Sequence, residues 1–201
     1  EQAGGLLNIF ARDSTDRMIF AFEVPATWFQ SVNAVFIVVF APVIASVWIK
    51  MGDREPSSPI KFMIALLFLA MGFVCMMGAM IDIENSEDGK ANMMWLVGLY
   101  FFHTIGELCL SPIGLSMVTK LAPMRIVSFM MGVWFLFIAA ANYTAGWVGS
   151  LVGEDTSLMT IFVAVCGASV GCAVILYLLS DRLLDWMHGA EGPHVTTADE
   201  K

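Results

Sequence analysis

The sequence at residues 106–112 reads Gly106-Glu107-Leu108-Cys109-Leu110-Ser111-Pro112. This stretch lies within an apolar run over residues 93–118, and a run of that length is sufficient to cross a bilayer. A carboxylate in the middle of such a run costs about 3 kcal/mol on insertion scales. It is therefore retained when it is protonated, is paired, or faces a polar cavity. The position of Glu107 in this run predicts a functional site inside a membrane.

The composition supports a membrane location. Of the 201 residues, 58% are hydrophobic and only 14% are charged, whereas a soluble domain has about 25% charged residues. The formal net charge of −8 and the absence of a basic stripe argue against nucleic-acid binding. The sequence has neither His/Cys spacing typical of a metal site nor a Ser/His/Asp set. We therefore expect neither an enzyme nor a metal centre.

Five apolar segments are each about 20 residues long or slightly longer, as a membrane-spanning helix requires. The predicted helices cover about residues 28–49, 60–81, 93–118, 128–152 and 158–179. A shorter apolar stretch over residues 1–10 is interpreted as the end of a truncated first helix, so we expect a longer parent protein. The prediction is an all-α transmembrane bundle over residues 1–188 with a disordered tail over 189–201. Strands are not expected, because no segment alternates as barrel strands do.

Basic residues in alternate links predict the orientation of the bundle. One side carries Lys50, Arg54, Lys61, Lys120, Arg125 and Arg182. The other side carries Arg12, Arg17 and Lys90 together with most of the acidic link residues. Because the Lys/Arg-rich side of a membrane protein is cytoplasmic, we expect the C-terminal tail to be cytoplasmic.

The predicted helix around Glu107 has one polar face. Tyr100, His103, Glu107 and Ser111 follow at intervals of three or four residues, which places them on the same side of a helix. Pro112 predicts a kink, and a kink beside a buried acid is typical of a binding site at a broken helix. The alternative is a kinked structural helix whose acid pairs with a neighbour. For His103, a proton relay and a hydrogen bond in helix packing both remain open.

Three further side chains are candidates on other helices. Asn33 has a side-chain amide that can bind a peptide group or bridge two helices. Trp134 and Phe135 are aromatic in mid-helix, where they either form the wall of a pocket or pack as ordinary core. Glu1 is a second acid, although a terminal glutamate can also be solvated.

Four stretches of the sequence are distinctive, namely EQAGGLLN (1–8), VPATWFQSVN (24–33), GELCLSPIGLSM (106–117) and MMGVW (130–134). Together they resemble the proton-dependent oligopeptide transporters, the POT or PTR family of the major facilitator superfamily. The resemblance covers about residues 1–180, in the expected order and with the expected spacing.

The resemblance implies that this chain is the C-terminal six-helix half of a twelve-helix bundle. In the family, the acid that aligns with Glu1 couples to protons and pairs with an arginine of the N-terminal half. Protons are the coupling ion, and no other cofactor is implied. The short link over residues 82–92 is similar to that of bacterial members, so we expect a bacterial cytoplasmic membrane.

The same resemblance assigns substrate-binding roles. Asn33 is implied to contact the peptide, and Glu107 to hold its amino terminus with Ser111 one turn further on. Trp134 is implied to line a side-chain pocket, with Phe135 beside it. Glu107 is also expected to take part in proton coupling on chemical grounds, because a carboxylate can exchange an ammonium partner for a proton.

The predicted function is proton-coupled symport of di- and tripeptides by alternating access. The expected partners are the peptide, the lipid bilayer and the missing N-terminal half. One alternative is a related carrier of another solute, such as nitrate or modified amino acids. The others are a non-transporting membrane subunit and an intramembrane enzyme that uses Glu107 and His103.

Overall fold

The computed structural model describes residues 6–19, 21–150 and 157–187. Five of the helices in this part of the chain are long and apolar enough to cross a membrane. The helices are α1 (Leu6–Asp13), α2 (Ala26–Met51), α3 (Ser58–Asn85), α4 (Met94–Leu121), α5 (Val127–Ser150) and α6 (Leu158–Trp186), with a 3-10 turn at Gly52–Arg54. The prediction of an all-α membrane protein is confirmed.

Several helices extend beyond the apolar segments that predicted them. α3 continues to Asn85 and α6 to Trp186, past residues 81 and 179, where the hydropathy falls. A helix continues into the polar interface because its own hydrogen bonds satisfy the backbone there as well. α1 likewise ends at Asp13 rather than near residue 10. Glu1 and the predicted tail over residues 189–201 lie outside the described residues.

Two short strand pairs correct the expectation that the chain has no strands. β1 (Thr15–Asp16) pairs in parallel with β4 (Ala91–Asn92), and β2 (Met18–Ile19) pairs antiparallel with β3 (Phe22–Glu23). Each strand has only two residues, so no alternating hydropathy pattern could reveal it. The β1–β4 pair joins the link before α2 to the link before α4, and its hydrogen bonds satisfy backbone groups in both links.

The core lies where α3 packs between α4 and α6, with α1 covering one end. Phe73 and Met76 of α3, Leu99 of α4 and Phe162 of α6 are all at most 3% exposed. Phe10 of α1 meets Phe162 edge-on, with ring centroids 6.3 Å apart. The described residues of α5 include no buried side chain, so α5 contributes a wall rather than a core.

A glycine sets the distance between α3 and α4 beside the predicted site. A Cβ on Gly106 would lie 2.9 Å from the backbone oxygen of Ala65, which is closer than such atoms approach. Glycine is therefore required at this contact for steric reasons, since small residues let membrane helices approach closely. The close contact fixes the position of Glu107, the next residue along α4.

A buried lysine stands at the beginning of α3. Lys61 is 7% exposed, donates a hydrogen bond to Glu55, and lies 5.0 Å from the centre of the Trp48 ring. An ion pair and a cation–π contact together offset part of the desolvation of its ammonium group. Its charge is therefore compensated locally, where α2 ends and α3 begins.

Replacing Gly106 by alanine is expected to destabilise the bundle. The added methyl group must push α4 away from Ala65, and overpacking of this kind costs roughly 1–3 kcal/mol. Thermal unfolding of the purified protein in detergent measures the effect as a lower melting temperature.

Gly167→Ala on α6 is the matched control, because its Cβ would meet nothing within 4 Å among the described residues. Equal melting temperatures for the two variants would contradict a close contact at Gly106.

Candidate binding site inside the bundle

A cavity of about 500 Å³ opens between α2, α3, α4 and α5. It falls within the size range of small-molecule sites, which is roughly 300–1,000 Å³. Every side chain that the sequence assigned to substrate binding lines it, namely Asn33, Glu107, Ser111, Trp134 and Phe135. Three helices, α2, α4 and α5, thus bring these candidates together. Glu1, the remaining candidate, lies outside the described residues.

The central polar contact joins Asn33 of α2 to Glu107 of α4. The Asn33 side-chain nitrogen, Nδ2, donates to the Glu107 carboxylate at 3.3 Å from Oε2. The ion pairs found among the described residues involve other carboxylates, and Glu107 is exposed to the cavity. Within the described part of the chain, the carboxylate therefore has an amide donor and an open side that faces the cavity.

The helix that carries Glu107 is not broken. α4 continues from Met94 to Leu121 with Pro112 inside it, so the helix predicted over residues 93–118 is continuous through the proline. A proline removes one backbone donor, and membrane helices tolerate this loss when neighbouring groups satisfy the freed carbonyl. Glu107 and Ser111 consequently stay on one continuous helical face, and both line the cavity.

The aromatic wall of the cavity comes from α5. The Trp134 ring packs over Gly114 of α4, where a Cβ would lie only 2.4 Å from the ring. Trp134 also lines a second, almost entirely apolar cavity of about 340 Å³, together with Phe62 and Met130. Phe135 is 56% exposed and borders the main cavity. Trp134 therefore borders both the cavity that contains Glu107 and the apolar cavity.

His103 packs against α3. Its ring lies 5.1 Å from the Phe73 ring, and its edge approaches Gly72 so closely that a Cβ there would clash. The Nε2 atom is buried and has no hydrogen-bond partner among the described residues, as is also true of the Tyr100 hydroxyl. The position favours the packing interpretation of His103 over a proton relay.

Thr104 is a polar residue of the site that the sequence analysis missed. It is fully buried, and its hydroxyl contacts both the Asn33 side-chain oxygen and the Tyr100 backbone oxygen. The sequence feature that could have indicated Thr104 is its position three residues before Glu107, on the same helical face. A threonine in an apolar helix commonly bonds only to its own backbone, so this signal was weak.

The described residues contain no group of three His, Cys, Asp or Glu side chains that could hold a metal ion. The chemistry available in the cavity is that of one carboxylate, amide and hydroxyl groups, and an aromatic wall. Such an arrangement can bind a solute that has an ammonium group, other polar groups and an apolar part.

The chain is similar in sequence to known membrane transporters. The model of the POT family matches residues 1–164. Peptide transporter YePEPT of Yersinia enterocolitica is 41% identical over 196 residues, which cover 96% of this chain and 38% of that protein. Dipeptide and tripeptide permease A of Proteus mirabilis is 40% identical over 152 residues, which cover 74% of this chain and 30% of that protein. The chain spans about two fifths of the length of such relatives, or less.

Solved structures of POT transporters are also similar to this chain. A peptide transporter POT in complex with sulfate matches with a TM-score of 0.81 and 35% identity, over 90% of this chain and 36% of that one. A POT family transporter in complex with 5-aminolevulinic acid matches with a TM-score of 0.81 and 30% identity, over 90% and 37%. Both have the major facilitator fold, which confirms the predicted fold class. Because the family model covers well over half of its residues, this chain belongs to the POT family.

Proposed function

We propose that this chain is the C-terminal six-helix half of a carrier that moves di- and tripeptides across a membrane together with protons, by alternating access. Membership of the POT family, a class of transporters rather than enzymes, supports the proposal, as do the peptide-transporter names of its relatives. The observation that supports this proposal most strongly is that the Glu107 carboxylate faces a cavity of about 500 Å³ among apolar helices.

Glu107 is proposed to bind the amino terminus of the peptide. A carboxylate and an ammonium group 4 Å apart attract each other by about 4 kcal/mol at an effective dielectric constant of 20. This attraction is larger than it would be in water, because the surrounding helices exclude solvent. The amide of Asn33 and the hydroxyl of Ser111 lie on the same cavity and supply polar partners for the peptide backbone.

Trp134 and Phe135 are proposed to receive a substrate side chain. They form the aromatic boundary of the cavity, and Trp134 also borders the apolar cavity beside it. An apolar wall accepts side chains of different shapes, because burial of apolar surface is favourable without directional contacts. The site would therefore accept peptides with many different side chains but would require a free amino terminus.

Proton coupling is proposed for Glu107 and Glu1. Glu107 can exchange the ammonium group for a proton, because either partner removes the cost of an isolated charge in the cavity. Glu1 would alternate between a proton and an arginine of the N-terminal half, as the family resemblance implies. Its role is inferred from that resemblance, since Glu1 lies outside the described residues.

The proposed setting is a bacterial cytoplasmic membrane with the C-terminus on the cytoplasmic side. The distribution of basic residues between alternate links supports the orientation. The bacterial origin of the relatives supports the type of membrane. The N-terminal half and the lipid bilayer are the expected partners, and together they would cover the exposed apolar faces of α2 and α5.

Modified amino acids form a second candidate class of substrate. A related structure contains 5-aminolevulinic acid, which has an ammonium group as a peptide does. Glu107 would recognise that group in the same way. Nitrate is less compatible with the site, because the carboxylate would repel an anion.

Glu107→Gln in the full-length protein is expected to weaken binding of a dipeptide by about 10- to 100-fold. The substitution removes the charge of the carboxylate while preserving its size, and hydrogen bonds to charged groups are worth about 1.5–3 kcal/mol. Binding of the dipeptide and of its N-acetylated form to the purified protein measures the effect. The N-acetylated form should bind the wild type and the variant equally weakly.

Glu84→Gln is the control, because Glu84 is an exposed carboxylate near the end of α3. If Glu107→Gln bound the free dipeptide as tightly as the wild type, Glu107 would not be the site of the amino terminus.

Glu1→Gln in the full-length protein is expected to abolish uptake driven by a proton gradient while preserving exchange of labelled peptide across vesicles at equal pH. The variant can no longer release a proton at this position, although the substrate site remains. Both activities are measured in proteoliposomes. Normal gradient-driven uptake by this variant would exclude Glu1 from proton coupling.

A further inference from the structure

Three side chains on two helices form a continuous hydrogen-bond chain that ends at the cavity. The Thr104 hydroxyl contacts the Asn33 side-chain oxygen, Oδ1, and the Asn33 nitrogen lies 3.3 Å from the Glu107 carboxylate. The same hydroxyl lies 2.7 Å from the backbone oxygen of Tyr100. Thr104 is fully buried, so its own two contacts are shielded from water, whereas the contact between Asn33 and Glu107 is open to the cavity.

The direction of each hydrogen bond follows from the chemistry of the groups. An ionised carboxylate can only accept hydrogen bonds, so the Asn33 amide must turn its nitrogen toward Glu107. Its oxygen then faces Thr104, whose hydroxyl must donate. While Glu107 is ionised, the chain therefore runs from Thr104 through Asn33 to Glu107.

The Thr104 hydroxyl has one hydrogen but two acceptors within reach. It cannot donate fully to both Asn33 and the Tyr100 backbone oxygen. A second arrangement is available in which it donates to Tyr100 and accepts from the Asn33 nitrogen. The Asn33 oxygen would then face Glu107, which requires a donor on the carboxyl group. A protonated Glu107 supplies that donor.

We propose that Thr104 is a positioning residue that orients the Asn33 amide in opposite directions according to whether Glu107 is ionised or protonated. One proton is added to a carboxylate oxygen of Glu107, and neither Asn33 nor Thr104 loses a proton. The amide turns through half a rotation and the hydroxyl rotates toward Tyr100. This inference rests on the proposed proton uptake by Glu107, and it extends that proposal to the surrounding groups.

The reversal presents two different surfaces to a substrate. In the ionised state the cavity offers a carboxylate, which suits an ammonium group. In the protonated state the carboxyl hydrogen is directed to Asn33, and both groups are satisfied without a substrate. The substrate-free protonated state is therefore self-sufficient, since Thr104, Asn33 and Glu107 each have a hydrogen-bond partner within this group of three side chains.

Other titratable groups do not substitute for this arrangement. Those that line the cavity beside Glu107 are Tyr100 and His103, and both belong to α4 itself. α2, α3, α5 and the remainder of α4 contribute no further titratable side chain to the cavity lining within the described residues. Their titratable groups lie elsewhere and are Lys50, Lys61, Cys75, Asp82, Glu84, Cys109, Lys120 and Tyr143.

The test is infrared difference spectroscopy of the full-length protein in lipid, recorded without peptide as the pH is lowered. The wild type should show a carboxyl band that Glu107→Gln removes. A side-chain amide band that Asn33→Leu removes should change with it. Thr104→Val should keep the carboxyl band and lose most of the amide change, whereas Thr104→Ser should keep both.

Thr144→Val on α5 is the matched control. The Thr144 hydroxyl also bonds to backbone oxygens of its own helix, at 2.9 Å from that of Ala140, but its side chain is exposed. It should leave both bands unchanged. If Thr104→Val does not fold, Thr104→Ala removes the same hydroxyl with a smaller side chain and should give the same spectrum.

Two results would overturn the proposal. One is a wild-type spectrum without an amide band that depends on Asn33. The other is an amide band that remains unchanged when the Thr104 hydroxyl is removed. A purely structural Thr104 would lower the melting temperature in its variants without altering the amide band.

A measurement of dipeptide affinity distinguishes a failure of the Thr104 proposal from a failure of the proposed peptide transport. Thr104→Val should weaken dipeptide binding about fivefold, as expected for the loss of one neutral hydrogen bond, and Thr104→Ser should not. If the wild type bound no dipeptide while the spectra behaved as expected, peptide transport would be wrong and the switch would stand. Unchanged affinity in Thr104→Val would contradict a positioning role in substrate binding.

Discussion

The cost of placing the Glu107 carboxylate among apolar helices limits how the neighbouring helices can be arranged. Glu107 must face a cavity and have polar neighbours, since the cost of an isolated charge at this depth is several kcal/mol. The close contact at Gly106 holds α4 against α3, and Asn33 supplies a donor from α2. α2, α3, α4 and α5 enclose the cavity that the carboxylate faces.

The division between core and wall follows from the same constraint. α3, α4 and α6 bury large apolar side chains against one another, whereas α5 buries none among its described residues and α2 buries only Phe29. α2 and α5 contribute Asn33, Trp134 and Phe135 to the two sides of the cavity. Their remaining exposed faces suit lipid and, in the proposed carrier, the other half of the bundle.

The sequence predicted the number of long helices well but their ends less accurately. An apolar run of about 20 residues is enough to predict a membrane helix, because the bilayer sets the length. It cannot predict where a helix ends in the polar interface, so the extensions to Asn85 and Trp186 were missed. Strand pairs of two residues, such as Thr15 with Ala91, depend on which links meet in space. Pro112 lies inside α4, which continues through the proline as the uninterrupted apolar run over residues 93–118 predicted.

The site was predictable to the extent that its residues are unusual for a membrane helix. Glu107 is conspicuous from hydropathy alone, and the resemblance to a family identified Asn33, Ser111, Trp134 and Phe135. Thr104 is common in membrane helices, and its contact with Asn33 depends on the relative register of α2 and α4. The same limitation applies to His103, whose packing against Phe73 could not be distinguished from a role in proton transfer.

An experimental structure of the full-length protein with a bound dipeptide would show directly whether Glu107 binds the amino terminus. The peptide ammonium group should lie within hydrogen-bond distance, about 3 Å, of the Glu107 carboxylate, beside Asn33. An ammonium group at another site, with Glu107 turned away from the peptide, would contradict this role of Glu107.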